Sequence, residues 1–222
     1  MDTLVSIKIP CDMFMRQYTI PIQKLCQKIN TTPEQVARKL KIPVKELMQW
    51  ENNISTLSIK EAIQLSKFFN TSLEDLIFRT TRCPIDLQTY ANDPKSLDQI
   101  INLSNNNWNH IQDKNRIRNK NERDYNNPGG KIKFVRIEIL GLGQYTFSEL
   151  IHCSRTLVEK WEEGLPPEYM HWYCEIADLS NITLDALVFP EHALELSTRN
   201  FSEKEYQLIK LYLSILDERR DP

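Results

Sequence analysis

Apolar residues recur at helical spacing through most of the chain, and the polar residues between them fall where helices begin and end. Ile22, Leu25, Cys26 and Ile29 share one face, which predicts a helix near Ile20 to Ile29. Thr32-Pro33-Glu34-Gln35 then combines an N-cap hydroxyl, a proline at the first helical position and a capping-box glutamine. Val36 and Leu40 carry that helix to about Leu40. Pro43 opens the next, which turns Leu47 and Trp50 inward and stops before Asn52-Asn53. Ser58 with Glu61 repeats the capping box ahead of Ile59, Ala62, Ile63, Ser66 and Phe69, and Ser72 caps a last helix carrying Leu73 and Leu76.

The same plan returns at a constant offset of 111 residues, with no gap in the register. Trp50-Glu51 falls on Trp161-Glu162, Leu47 on Val158, Leu65 on Ile176, Leu73 on Leu184, Leu76 on Leu187 and Phe78 on Phe189. In the second copy Phe134, Ile137 and Leu140 are expected to form the apolar face of the first helix, and Pro166-Pro167 precedes the fourth. The stretch between the copies turns polar, and ten of the 26 residues from Asn102 to Asn127 are asparagine. Leu97, Ile100, Ile101, Trp108 and Ile111 keep near-helical spacing over Asp93 to His110, whereas Asp113 to Gly130 reads as a solvated linker. Leu4 to Ile9 has the β-branched content of a strand. After the second copy, Ser202 and Glu205 cap a helix through Tyr206, Ile209, Tyr212, Leu213 and Leu216. Its two apolar stripes exceed what one small core needs, which leaves a dimer contact or packing back onto the second copy.

These patterns predict an all-α chain with two five-helix units in tandem, at 16–78 and 131–190. A polar, partly helical linker spans 79–130, and a C-terminal helical segment spans 191–222. A chain of 222 residues with 41% hydrophobic content is long enough for two such cores. Five cysteines without CxxC spacing fit reduced thiols in a cytosol, and no apolar run reaches the roughly 18 residues of a membrane span. The expected setting is cytoplasmic.

The net charge of −2 hides an uneven distribution. Residues 16–78 hold nine Lys/Arg against six Asp/Glu, whereas 132–190 hold four against nine. Affinity for nucleic acid comes largely from neutralised phosphates, so the first unit is the better electrostatic candidate.

Gln35 to Asn53 and Gln144 to Gly164 resemble the lambda-repressor and Cro-like helix-turn-helix family, also called XRE. The marks are Ala37 or Ser148 at the tight contact between the second and third helices, Val36 or Phe147 and Leu47 or Val158 in the core, and Trp-Glu closing the third helix. Ser72-Leu73-Glu74-Asp75-Leu76 and Thr183-Leu184-Asp185-Ala186-Leu187 are similar to that family's ending. The resemblance covers about 60 residues of each copy. It implies two lambda-repressor-like domains whose third helix places its amino-terminal residues in the major groove of double-stranded DNA.

The positions so implied are Val44, Lys45, Met48 and Gln49 in the first copy. In the second they are Ser154, Arg155, Thr156 and Lys160, with Glu159 among them. Lysine donates to guanine, glutamine pairs bidentately with adenine, and valine touches a thymine methyl. Gln144 matches the family's phosphate-anchoring glutamine; Pro33 stands at that place in the first copy. The turn position usually filled by glycine holds Lys41 and His152. The family's buried arginine, partner of the glutamate after tryptophan, falls on Cys26 and Ile137, so Glu51 and Glu162 need other partners or solvent.

Trp50 and Trp161 read as core rather than as nucleobase platforms. The basic run Lys114, Arg116, Arg118, Lys120 and Arg123 alternates with asparagine and acids and reads as a solvated linker. His152, Cys153, His171 and Cys174 lack paired ligand spacing, so no metal is expected, and no catalytic residue or cofactor emerges. The expected function is sequence-specific regulation of transcription, a repressor of a mobile genetic element acting at an operator as a homodimer. The competing expectation is a protein-interaction factor, an anti-repressor or plasmid-maintenance protein, in which one or both units bind protein.

Overall fold

A computed structural model describes residues 17–79, 84–86 and 128–218, without the side chains of 85–86 and 216–218. The Leu4 to Ile9 segment, the Asp93 to His110 helix and the Lys114 to Arg123 run lie outside the described residues. The chain is mostly helical. The first set of helices is α1 (Ile22–Lys28), α2 (Pro33–Leu40), α3 (Val44–Gln49), α4 (Ile59–Phe69) and α5 (Leu73–Phe78), followed by β1 (Ile85–Asp86). The second set opens with α6 (Pro128–Phe134), which runs into a π-helical turn (Val135–Ile139), and continues with α7 (Gln144–Leu150), α8 (Arg155–Glu162), α9 (Met170–Ser180) and α10 (Leu184–Val188). Next come β2 (Glu195–Leu196) and α11 (Glu203–Glu218). Among the described residues no helix is long and apolar enough to cross a membrane.

Local sequence sets the helix ends. Thr32 Oγ1 accepts from the Gln35 backbone N–H while Gln35 Oε1 accepts from that of Thr32, and Ser58 and Glu61 make the same reciprocal pair. Ser72, Thr183 and Ser202 cap α5, α10 and α11 through N–H groups three residues on. Each such cap stabilises by about 1 kcal/mol. At the other ends, left-handed residues recur at the 111-residue offset: Asn30 and Gly141, Lys41 and His152, Asn70 and Asn181.

Two expectations for the first helices are corrected. Ile20 is buried but precedes α1, its N–H bonded to the Trp50 carbonyl at 2.9 Å, and Ile29 is the exposed C-cap rather than part of the inner face. In the second set the buried face is Ile132, Val135 and Ile139, with Phe134, Ile137 and Leu140 only half-buried. Ile132, Val135 and Ile139 keep i, i+3, i+7 spacing themselves, so the inward face is the stripe beside the expected one, with the π-helical turn falling inside it.

One continuous apolar core joins both sets, from Ile20, Leu47, Trp50 and Leu65 to Phe147, Val158, Trp161 and Ile176. The contacts across it are paired by the 111-residue offset. The Ile59 N–H donates to the Glu168 carbonyl at 3.0 Å, and the Met170 N–H donates to the Leu57 carbonyl at 2.8 Å, an antiparallel bridge centred on Ser58 and Tyr169. Asp185 accepts from the Leu73 and Glu74 N–H groups at the start of α5, and Glu74 accepts from the Leu184 N–H at the start of α10. Strand β1 pairs antiparallel with β2, Ile85 opposite Leu196. Each contact maps onto itself or its partner when the two sets are exchanged, the signature of an isologous two-fold interface.

Buried charge closes this interface. Glu74, 5% exposed, also accepts from the Ser197 hydroxyl and from Arg199 Nη1 at 2.6 Å. The same guanidinium reaches Asp178 at 3.1 Å and lies 4.0 Å from the Phe78 ring centre. Asp178 accepts in turn from the Tyr18 hydroxyl. Asp75, next to Glu74, is exposed at its surface, and partial desolvation of its carboxyl, then the Asp185 and Glu74 carboxylates, raise its pKa. A carboxyl raised on folding contributes fully below its unfolded pKa, and that contribution is lost as pH rises through the folded value. Asp75→Asn is therefore expected to stabilise the protein at neutral pH and to match it below about pH 4, as urea melts at the two pH values will show.

The two stripes of α11 have different fates. Ile209 is buried, and Tyr206, Tyr212 and Leu213 pack against the core, whereas Leu208, Leu211 and Ile215 are exposed, the first two by 61% and 59%.

Candidate nucleic-acid interface

Two short helices joined by a tight turn present the candidate side chains. In the first set, Val36 and Ala37 on α2 and Leu47 on α3 are buried together with Trp50 at the C-cap of α3. With that face fixed inward, Val44, Lys45 and Gln49 stand exposed on the opposite face of α3 and Met48 is half-buried. These four share one surface at the amino-terminal end and outer side of the helix. Pro43 precedes them without a side-chain cap, so the first N–H groups of α3 have no competing hydroxyl there.

The α7–turn–α8 segment repeats this arrangement, with one backbone bond of the turn in common. The Ile42 N–H donates to the Ala37 carbonyl at 3.0 Å, and the Cys153 N–H donates to the Ser148 carbonyl at 2.9 Å. Ala37 and Ser148 are 2% and 3% exposed, small enough for the helices to close on one another. Lys41 and His152 hold φ of 59° and 56°, the left-handed backbone that glycine takes without strain. Relief of a strain of about 1–2 kcal/mol, partly offset by the entropy of glycine in the unfolded chain, makes Lys41→Gly and His152→Gly each stabilising by roughly 0.5–1 kcal/mol. Thermal melts of the single variants check this.

Arg155, Thr156 and Lys160 are exposed on α8. Ser154 is exposed too, but its hydroxyl oxygen is the N-cap and accepts from the Leu157 N–H at 3.3 Å. Arg155 is paired with Glu159 at 2.9 Å, and both are solvent-facing, so the pair contributes about 0–1 kcal/mol and yields readily to a phosphate or a base. Gln144 is the first residue of α7, and its Nε2 donates to Glu162 Oε2 at 2.9 Å. That bond fixes the amide at the amino-terminal end of α7, where backbone N–H groups and the helix dipole favour an anion.

Glu162 has the partner that the aligned sequence withheld. Arg136, not the residue at 137, meets it in a bidentate pair at 2.5 and 2.9 Å, with both side chains buried. The extra residue of the π-helical turn moves Arg136 into the position that a gap-free offset gives to Ile137. In the first set Glu51 accepts instead from the Gln23 N–H at the start of α1, at 2.7 Å. Both glutamates thus tie the end of the third helix to the first, by different chemistry.

Residues 22–76, about a quarter of the chain, match a helix-turn-helix family model. The match supports an XRE-like helix-turn-helix in this stretch, a module of the kind found in DNA-binding transcription regulators. No curated protein and no solved structure matches the chain.

Proposed function

We propose that this chain is a sequence-specific DNA-binding regulator of transcription, with two helix-turn-helix domains in tandem at 16–78 and 131–190. It represses by occupying an operator and needs no catalytic step. One observation carries the reading. The polar outer side of α3, with Lys45 and Gln49 free of any packing role, is held out by buried Leu47 and Trp50 inside the stretch that matches the helix-turn-helix family. Lys45 and Gln49 have the reach and donors for guanine and adenine edges, and Val44 the methyls for thymine. The equivalent surface of α8 offers Arg155, Thr156 and Lys160, with Gln144 to anchor a phosphate.

The Asn, Ile and Lys bias of the sequence fits an AT-rich source and supports assignment to a mobile genetic element, with the protein acting in the cytoplasm. The open stripe Leu208, Leu211 and Ile215 has the i, i+3, i+7 spacing of a helix-pairing seam and supports homodimers through α11. A second reading has its own support: the 132–190 stretch is acidic and exposes Tyr145, Leu157 and Leu165 near α7 and α8, a surface suited to a protein partner.

Selection from a random duplex library tests the proposal, run on the wild type, on Lys45→Ala with Gln49→Ala, and on Arg155→Ala with Lys160→Ala. The expected result is a motif that the first double variant loses. Enrichment of nothing by the wild type at low salt, where phosphate contacts are strongest, overturns the regulator reading in favour of the protein-partner one.

A further inference from the structure

We infer that one copy of this chain is itself the two-fold reader, and that its DNA site is an inverted repeat with two unlike halves. The inference rests on the DNA-binding reading above. The backbone and capping contacts across the interface come in mates at the 111-residue offset, Ile59 to Glu168 with Met170 to Leu57 and Asp185 to Leu73 with Glu74 to Leu184, while the Tyr18, Ser197 and Arg199 side-chain contacts add an asymmetric layer around them. Two pairings are their own mates, Ser58 with Tyr169 and Ile85 with Leu196, and these mark where the pseudo-two-fold axis crosses the fold. An interface of this kind ordinarily joins two copies of a chain; here both halves are covalently present.

The same rotation relates α3 to α8, so Val44 corresponds to Arg155, Lys45 to Thr156, Met48 to Glu159 and Gln49 to Lys160. No pair keeps its chemistry. The α3 side reads adenine through Gln49, thymine through Val44 and guanine through Lys45, whereas on α8 Arg155 and Lys160 favour guanine and Glu159 accepts from cytosine. A half-site of mixed composition therefore stands opposite a G·C-leaning one, and the chain binds in one orientation only. A homodimer with identical heads has no such polarity.

The spacing is bounded by the same interface. Gln49 and Leu57, the latter bonded at the axis, are eight residues apart, so the end of α3 lies within about 29 Å of the axis. That reach covers half of the roughly 34 Å between half-sites one helical turn apart. Reciprocal capping at Glu74 and Asp185 leaves the heads no freedom to track a different spacing.

The test uses the full chain and the duplex it selects. One chain per operator is expected by sedimentation, so a dimer paired through α11 carries two duplexes. Each double variant, confirmed folded by circular dichroism, relaxes base preference in one half-site only, and five base pairs inserted at the centre weaken binding by about a hundredfold as the second head is lost. Two chains per single operator, or a selected motif with identical halves, or indifference to the insertion, overturns the inference while leaving DNA binding intact. Absence of any selected motif instead removes the reading on which it rests.

Discussion

Glu74→Ala is expected to destabilise the protein by about 3–5 kcal/mol, the cost of breaking a buried, hydrogen-bonded charge pair. The carboxylate sits between the two helical sets, where it accepts from the Leu184 N–H, the Ser197 hydroxyl and the Arg199 guanidinium. Alanine leaves all three donors without their acceptor in a site closed to water. The start of α10 loses the acceptor of its Leu184 N–H and keeps only the Thr183 cap, and Arg199 keeps only Asp178 and the face of Phe78. Glu74→Gln keeps the shape and an acceptor oxygen, so it is expected to lose less than the alanine variant. Urea melts of the two variants give the comparison. Equal losses would mean that volume rather than charge holds the site. If the interface unites the two sets, the alanine variant also splits a single unfolding transition into two.

Arg136→Met is the second large effect, again about 3–5 kcal/mol, because it strands the buried Glu162 carboxylate. Arg136 also donates to the Leu142 carbonyl at 2.7 Å, just ahead of α7. Its loss therefore loosens the entry to α7 as well as the end of α8. Gln144, held by Glu162, loses its fixed position along with the pair. The partner variant discriminates: removing both charges with Arg136→Met and Glu162→Leu is expected to recover most of the stability, since no unpaired charge remains. Recovery absent from the double variant would mean that the Leu142 contact, not the ion pair, carries the effect. Cys26 marks the corresponding place in the first set, and Glu51 needs no arginine there because a backbone N–H at the start of α1 serves it.

Local chemistry was legible in the sequence where the interacting residues lie three or four positions apart. The capping boxes at Thr32 and Ser58, the caps at Ser72 and Ser202, and the inward tryptophans follow directly from spacing. The gap-free 111-residue register was also readable, and its very regularity concealed the π-helical turn, which leaves no mark on an alignment without gaps. Hence the aligned sequence points to Ile137 where the fold uses Arg136. Long-range polar contacts gave no signal at all. Glu74 and Asp185 stand in the first turn of α5 and α10, where acidic residues are common for reasons of helix dipole alone, and nothing local says that each caps the other set's helix. Lys131 is a similar case: it looks like a surface lysine in a basic stretch, yet it is buried, donates to the Ala186, Phe189 and His192 carbonyls, and has its pKa pushed down to about 8 by burial. The candidate reading residues were found by position in a repeating pattern, which works because solvent-facing sites are what remain once the core face is assigned.

Hydroxyl-radical footprinting of the full chain on its selected duplex bears most directly on the central claim, that the outer surfaces of α3 and α8 meet DNA as parts of one body. Two protected backbone patches are expected on one face of the duplex, centred about one helical turn apart. Lys45→Ala with Gln49→Ala is expected to weaken one patch and Arg155→Ala with Lys160→Ala the other. A single patch indifferent to one of the two double variants, or uniform protection without boundaries, would contradict it.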